Sequence, residues 1–231
     1  MTDRRALIIA IDGVAGSGKS TTAKLVAQKL GYMHIDTGAM YRAVALKMQR
    51  VGLEPTDNGK IDDMLHSTHV AQTTVDSQVR ILLDGKDVTE EIRTPEISLW
   101  VGPVSENPRV RAHLVQWQRE LGQNGGVVLE GRDIGTVVFP DADLKIYMVA
   151  DLKARAKRRR KEMLARGIDQ SLPEVEEALA ARDARDSNRE HAPLRKAADA
   201  IELDTTELTI GDQVDKVVAL ARKVAASPSH A

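Results

Sequence analysis

The chain has 231 residues, 42% of them hydrophobic and 29% charged, which is enough for one sizeable core with small appendages but tight for two full domains. Its 33 Lys and Arg residues balance 34 Asp and Glu residues, and a formal charge of -1 excludes a global positive field for holding nucleic acid or an anionic membrane. The sequence has no cysteine, which excludes disulfides, thiolate zinc sites and a cysteine nucleophile, and its 3% aromatic content argues against a base-stacking RNA platform.

Short apolar runs alternate with helical patterns along most of the chain. Residues 6–11 are apolar at consecutive positions, as in a strand buried on both faces of a parallel sheet, and the helical pattern that follows ends at Gly31, a candidate C-terminal cap. Similar apolar runs recur at 32–35, 127–129, 144–150 and 200–203. Strands that alternate with helices form right-handed βαβ units, so we expect an α/β fold with a parallel sheet of about five strands flanked by helices.

The pattern changes between residues 70 and 89. Spaced apolar residues precede the pair Asp84-Gly85, a sequence typical of a tight turn between antiparallel strands. These apolar residues are Val75, Val79, Ile81 and Leu83. The segment therefore predicts a hairpin within a small β-rich insertion.

Three helices are predicted in the last third of the chain. Asp151 is a candidate N-cap for a helix over 154–166 that ends before Gly167, and Ser171 with Glu174 forms a capping box that opens a second helix. A third helix covers roughly residues 210–225, and residues 227–231 are predicted to be a frayed tail.

A glycine-rich loop follows the first predicted strand. Residues 13–20, GVAGSGKS, fit the pattern G-x-x-x-x-G-K-[ST], between a strand and a helix as that pattern requires. In such a loop, backbone N–H groups bind phosphate oxygens, the lysine reaches the β and γ phosphates, and the hydroxyl ligates Mg²⁺. We therefore expect a P-loop NTPase-type fold that binds a nucleoside triphosphate. The residues expected at its phosphates are Gly13, Ala15, Gly16, Ser17, Gly18, Lys19, Ser20 and Thr21, with Ser20 as the metal ligand.

The loop alone does not choose between a kinase, a switch GTPase, a transporter ATPase and a motor. The sequence lacks the Asn-Lys-x-Asp segment of guanine-specific switches, and motors and transporters usually need more chain, so a small kinase is favoured. Transfer to a phosphate acceptor needs no base, only cations that hold two anions together, and arginines are abundant after the predicted strands. Arg182, Asp186 and Arg189 share one helix face, a spacing that fits phosphate binding and, equally, a solvated helix with internal ion pairs.

Four further segments strongly resemble bacterial cytidylate kinases, in the order found in that family. They are DTGAMYR at 36–42, DVTEEIR at 87–93, EGRDIGTVVFP at 130–140 and RDARDSNR at 182–189. The resemblance implies phosphorylation of CMP and dCMP by ATP with Mg²⁺, on a nucleoside-monophosphate-kinase fold. It implies a core over 1–62 and 101–231, a CMP-binding insertion over 63–100 and a mobile lid at about 152–172. We also expect a cytoplasmic monomer without a membrane or a stable nucleic-acid partner.

The resemblance also implies roles for individual residues. Lys19, Arg132, Arg159 and Arg189 would be catalytic, because they offset the charge of the transferred phosphoryl group or hold the acceptor phosphate in line. The residues implied to bind CMP are Thr37, Arg42, Gly102, Arg111, Arg132, Asp133, Arg182, Asp186 and Arg189. Two positions depart from the family: it commonly has serine at the position of Gly102 and often aspartate at that of Glu130. Asp36 and Glu130 are expected to serve the magnesium shell through water.

Base reading is assigned to Arg111 and Asp133. Cytosine presents acceptors beside an amino donor, so a cation donor next to a carboxylate acceptor is complementary to it, whereas uracil would leave the carboxylate unpaired at a cost of ~1–3 kcal/mol. Without the motif, an ordinary surface ion pair would be the better interpretation of these two residues.

The basic run at 153–161 matches the lid of the family. We expect Arg155 and Arg159 to face the ATP phosphates, with Arg158 nearly as good a choice, and the alternative is an exposed basic helix that binds polyanions. Two other functions therefore remain open. One is a kinase for another monophosphate such as UMP, and the other is a P-loop regulatory or RNA-associated ATPase.

Overall fold

The computed structural model describes residues 6–75, 78–165 and 167–227. This part of the chain divides into two compact units, one made of the residues up to His34 together with those from Gly122 onward, and the other of Ile35–Leu121. No helix in the described part of the chain is long and apolar enough to cross a membrane. The division into a core and an insertion over 63–100 stays a prediction.

A five-stranded sheet organises the fold, in the order β2-β6-β1-β7-β8. Its strands are β1 (Ile8–Gly13), β2 (Met33–Asp36), β6 (Val127–Gly131), β7 (Leu144–Val149) and β8 (Ile201–Asp204). β1 pairs in parallel with β6 and β7, and β7 pairs in parallel with β8, so the predicted parallel sheet of about five strands is confirmed. The prediction of where β1 lies was wrong by two residues, because Asp12 and Gly13 still pair with Gly131 and Met148.

Among the described residues of the first unit, four α-helices accompany the sheet: α1 (Lys19–Leu30), α6 (Leu152–Leu164), α7 (Leu172–Asn188) and α8 (Ile210–Ala226). α8 packs against α1 and β7, and their apolar faces close a core with the strands around Ile9, Val26 and Val217, all three fully buried. Residues 228–231, where a frayed tail is predicted, lie outside the described residues.

The predicted helix caps are confirmed. Gly31 ends α1 with a left-handed φ of 71°, Asp151 accepts a hydrogen bond from the Ala154 N–H, and Ser171 with Glu174 forms the capping box of α7. α6 ends at Leu164, so the predicted end at 166 was too late, and Arg166 itself lies outside the described residues.

The second unit contains α2 (Thr37–Arg50), α3 (Asn58–His66), α4 (Pro95–Glu106), nearly all of α5 (Pro108–Gly122) and a separate small sheet. This sheet is antiparallel, in the order β3 (Val70–Val75), β4 (Gln78–Leu83) and β5 (Lys86–Asp87). Asp84 and Gly85, with φ of 51° and 78°, form the tight turn between β4 and β5. The predicted hairpin is confirmed, with Val79, Ile81 and Leu83 in β4 and Val75 at the end of the preceding strand β3.

Candidate active site

The phosphate loop lies between β1 and α1. Positive φ angles and close contacts explain why glycine occupies several of its positions. Gly13, Gly16 and Gly18 all have positive φ, at 145°, 76° and 94°. A Cβ at Gly13 would overlap the Met148 carbonyl oxygen, and one at Gly16 would lie 3.3 Å from the Arg155 Cβ. Gly18 is the N-cap of α1 and provides no side-chain cap, which leaves the first N–H groups of the helix to bind an anion.

Lys19 is buried at the start of α1, and its Nζ donates to the Val14 carbonyl oxygen at 2.7 Å. Burial, together with the positive charges of Arg132 and Arg182, lowers the pKa of Lys19 to about 7, against the opposing charges of Glu130 and Asp12. The negative phosphates of a bound nucleotide would therefore raise the pKa of Lys19 again and keep its ammonium group charged.

Glu130, near the end of β6, is buried and joins the phosphate loop to β2. The Ser20 hydroxyl donates to Glu130 Oε2 at 2.6 Å, and His34 Nε2 lies 3.2 Å from Glu130 Oε1. Burial opposes ionisation of this carboxyl, but the hydrogen bonds from His34 and Ser20 and the charges of His34 and Lys19 outweigh it and hold the pKa of Glu130 below its usual value. The result is an ionised carboxylate beside the one hydroxyl that the motif assigns to a metal.

Asp12 is a second buried acid beside the loop. Its two carboxylate oxygens accept hydrogen bonds from the N–H groups of Ile134, at 2.9 Å, and Gly135, at 2.7 Å. Burial, together with the charge of Asp133, raises the pKa of Asp12 to about 6, although both N–H groups and Lys19 oppose the shift. Asp12 thereby fixes the π-helical turn Ile134–Val138 that directly follows Asp133.

Two ion pairs connect the segment after β6 with α7 and the residue that follows it. Arg132 Nε donates to Asp186 Oδ2 at 2.7 Å, and Arg189 Nη2 lies 3.5 Å from Asp133 Oδ1. Arg189 is the C-cap of α7, with extended backbone, so the predicted helical face holds Arg182 and Asp186 but not Arg189. The structure therefore brings four of the residues predicted to bind CMP into contact, in two arginine–carboxylate pairs.

The second unit holds four more of the residues predicted to bind CMP, whereas Arg182 lies on α7 in the first unit. Arg42 Nη1 donates to Ser98 Oγ at 2.9 Å, and the buried Arg111 donates to the Tyr41 hydroxyl at 3.4 Å. Thr37 is buried at the first position of α2, where Asp36 is the N-cap and accepts from the Ala39 N–H. Gly102 lies within α4, and its carbonyl oxygen accepts from Ser105 Oγ at 2.8 Å.

The three predicted lid arginines lie on α6 in different surroundings. Arg155 is buried and Nη1 donates to the Ala15 carbonyl oxygen at 3.0 Å, whereas Arg158 Nη2 donates to the Thr205 carbonyl oxygen at 2.5 Å. Arg159 is half exposed and pairs with Glu162 at 3.3 Å on the same helix. The start of α6 is thus hydrogen-bonded to the phosphate loop and to the residues after β8, and Arg159 is the most exposed of the three arginines.

Sequence reasoning missed several residues of this site. Asp12 and His34 were not selected, although Asp12 directly follows the predicted strand 6–11 and His34 lies near the end of the predicted strand 32–35, where ligands of parallel sheets bind. Asp183 was quoted within the RDARDSNR segment without a role, and it contacts both Ala15 and Arg155. Thr205, which is fully buried and donates to the Ser17 carbonyl oxygen at 2.9 Å, gave no signal in the sequence.

Comparison with known proteins agrees with these features. The sequence model described as cytidylate kinase matches residues 9–223. A cytidylate kinase of Geobacter sulfurreducens is 46% identical over 220 residues, 95% of this chain and 94% of the relative, and one of Caldicellulosiruptor bescii is 49% identical over 216 residues, 94% and 96% of the two chains. A solved shikimate kinase from Bacteroides thetaiotaomicron is far more distant, with 14% identity, a TM-score of 0.49 and coverage of 94% of this chain and 98% of its own. With the family match spanning nearly the whole sequence, the chain belongs to the cytidylate kinase family.

Proposed function

We propose that this family member transfers the γ-phosphoryl group of ATP to CMP or dCMP, which yields ADP with CDP or dCDP. The observation that carries the proposal is the Arg132–Asp133 segment, paired with Asp186 and Arg189 in the same compact unit as the phosphate loop. Such a group of forked cations suits an acceptor that is itself a phosphate, since repulsion between donor and acceptor must be overcome.

On the donor side, the backbone N–H groups of the loop bind the ATP phosphates, and Lys19 offsets the charge that develops on the transferred group. Mg²⁺ fits the oxygen donors beside the loop, namely the Ser20 hydroxyl and the ionised Glu130 carboxylate. Ser20 would be its direct ligand and Glu130, together with Asp36, would act through water. When bound, the ion neutralises phosphate charge.

On the acceptor side, Thr37, Arg42, Arg132 and Arg189 hold the CMP phosphate in line with ATP, and Arg182 with Asp186 lies toward its phosphate and ribose. Because a phosphate oxygen is already anionic, no general base is needed. Arg132 and Arg189 must exchange their carboxylate partners for phosphate oxygens as CMP binds. The carboxylates therefore hold the guanidinium groups in position without CMP and give them up when its phosphate binds.

Arg111 and Asp133 read the cytosine edge. A carboxylate that faces the carbonyl of uracil loses a hydrogen bond, which corresponds to about tenfold to a hundredfold discrimination against UMP. Gly102 supplies no side-chain contact to the base, so selectivity depends on these two residues.

Lid closure brings Arg159 to the transferred phosphoryl group, with Arg155 and Arg158 at its base on the ATP side. Exclusion of water on closure limits hydrolysis of ATP in the absence of an acceptor. The enzyme would act as a cytoplasmic monomer without a stable nucleic-acid partner.

The proposal is tested by ADP formation with Mg²⁺ and ATP against CMP, dCMP, UMP, AMP, GMP, shikimate and no acceptor. We expect the highest turnover on CMP and dCMP and little without an acceptor. Equal turnover on UMP would favour a broader pyrimidine monophosphate kinase. ATP hydrolysis that RNA stimulates and that ignores every monophosphate would overturn the proposal in favour of an RNA-associated ATPase.

A further inference from the structure

A carboxylate from α7 contacts the phosphate loop. Asp183 Oδ1 accepts a hydrogen bond from the Ala15 N–H at 3.3 Å, although Ala15 is 168 residues away in sequence. Ala15 is one of the loop residues to which ATP binding is assigned above. A carboxylate oxygen and a phosphate oxygen are acceptors of the same kind, so Asp183 and a phosphate would use the same donor.

The same carboxylate also holds a cation at the loop. Arg155 Nη1 donates to Asp183 Oδ2 at 2.5 Å and to the Ala15 carbonyl oxygen at 3.0 Å. The side chains of Arg155 and Asp183 are only 7% and 18% exposed, so solvent screens this pair weakly. Asp183 thus engages one donor on the loop and one on the lid helix α6, and both suit an anion.

We propose that Asp183 is a positioning residue that acts as an internal competitor of the ATP phosphates for the Ala15 N–H and the Arg155 guanidinium. This inference rests on the proposed binding of ATP at the loop. Entry of the triphosphate displaces the carboxylate from both donors, and its departure leaves the carboxylate to stabilise the empty loop again. Asp183 therefore weakens ATP binding and favours release of the nucleotide.

The surroundings of Asp183 allow its charge to be removed with little structural change. Arg155 Nε donates to the Ala150 carbonyl oxygen at 2.9 Å in addition to the bond to Ala15, so two backbone acceptors still hold the guanidinium without Asp183. Apolar contacts among Ala15, Ala156 and Val175 also seat α6 and α7 beside the loop independently of the ion pair. Loss of the carboxylate charge then leaves a cation and a backbone donor beside the phosphates.

The test is the Kd of ATP, measured by calorimetry without CMP, for the wild type, Asp183→Asn and Asp183→Ala. We expect both variants to bind ATP about tenfold more tightly, and to bind inorganic tripolyphosphate more tightly by a similar factor. Glu177→Gln is the matched control, because it removes one negative charge from an exposed position of the same helix and should leave both Kd values unchanged.

A merely structural role would loosen the loop and weaken ATP binding, so the direction of the change decides. Equal or weaker ATP binding by folded Asp183→Asn, or by Asp183→Ala if the first variant fails to fold, would overturn the inference. If the loss of charge alone were responsible, Glu177→Gln would tighten binding equally, which would also overturn it. A wild type that binds no ATP would instead contradict the proposed function.

Discussion

The phosphate loop and the Arg132–Asp133 segment follow the neighbouring strands β1 and β6, but different interactions hold them in place. The loop is held through its backbone, since Arg155 donates to the Ala15 carbonyl oxygen and Thr205 to that of Ser17. The structure of such a loop depends on backbone conformations and close approaches that glycine allows, and therefore on its glycines more than on its side chains.

The Arg132–Asp133 segment is instead held mainly through side-chain charges. Arg132 pairs with Asp186, Asp133 pairs with Arg189, and the backbone just beyond is fixed by the carboxylate of Asp12. Charged partners can be exchanged for a substrate anion, whereas backbone bonds stay in place. The comparison indicates a phosphate loop whose backbone path is fixed by the fold, with the Asp183 carboxylate available for exchange with a ligand, and a proposed acceptor site whose ion pairs its ligand rearranges.

The largest effect is expected at Gly13, where the backbone-held loop has no room. Gly13→Ala adds a Cβ that overlaps the Met148 carbonyl oxygen at a φ of 145°, so we expect a loss of about 3 kcal/mol or more in the free energy of unfolding. Gly31→Ala is the control, because its φ of 71° is also positive but nothing lies within 4 Å, and only about 1 kcal/mol should be lost. Equal losses in urea unfolding would contradict the steric explanation.

The substitution Asp12→Asn tests, through the pH dependence of stability, the carboxyl group that fixes the backbone beyond Asp133. The pKa of Asp12 is about 6 in the folded protein against 3.8 for an ordinary aspartate, so the folded state binds this proton more tightly. The wild type therefore gains stability from this group as pH falls from 6 to 4, by up to about 3 kcal/mol, and the gain is absent above that range.

The variant has no carboxyl group at this position and lacks that gain. The difference in the free energy of unfolding between wild type and Asp12→Asn should thus shift in favour of the wild type toward pH 4. Urea unfolding of both proteins at pH 4, 5, 6 and 7 measures it. If the difference in the free energy of unfolding is constant across these pH values, burial does not raise the pKa of Asp12.

A smaller effect is expected at the charge-held site. Arg132→Lys keeps the charge but loses the forked geometry that suits phosphate, so we expect the KM for CMP to rise about tenfold with an unchanged KM for ATP. Arg50→Lys, in a partly exposed pair with Glu91, is the control and should leave both values unchanged. An equal rise in both KM values for Arg132→Lys would place this arginine outside the acceptor site.

Features set by neighbouring residues could be predicted from the sequence. The phosphate loop, the cap at Gly31 and the capping box at Ser171 each depend on residues a few positions apart, and the structure contains all three structural elements. The hairpin at Asp84 and Gly85 was predictable from its turn residues, whereas apolar spacing does not mark that β3 ends at Val75 and that Val79 lies in β4.

Contacts between distant residues could not be predicted in this way. Asp12 and Ile134 are separated by 122 residues, and His34 and Glu130 by 96. These pairs meet only because parallel strands bring their carboxyl ends to one edge of the sheet. The spacing of residues along the chain does not indicate which side chains then come into contact. The roles of the individual arginines came from the family resemblance for the same reason.

The most direct test of the central claim is a competition in which the wild-type protein, Mg²⁺ and ATP meet equimolar CMP and UMP in one vessel. The products are separated and quantified as CDP and UDP at early times. We expect CDP to exceed UDP by about tenfold or more, because in the proposed site Asp133 would accept from the amino group that cytosine has and uracil lacks. Equal amounts of the two diphosphates would contradict the assigned base recognition, and the absence of both would contradict the kinase activity itself.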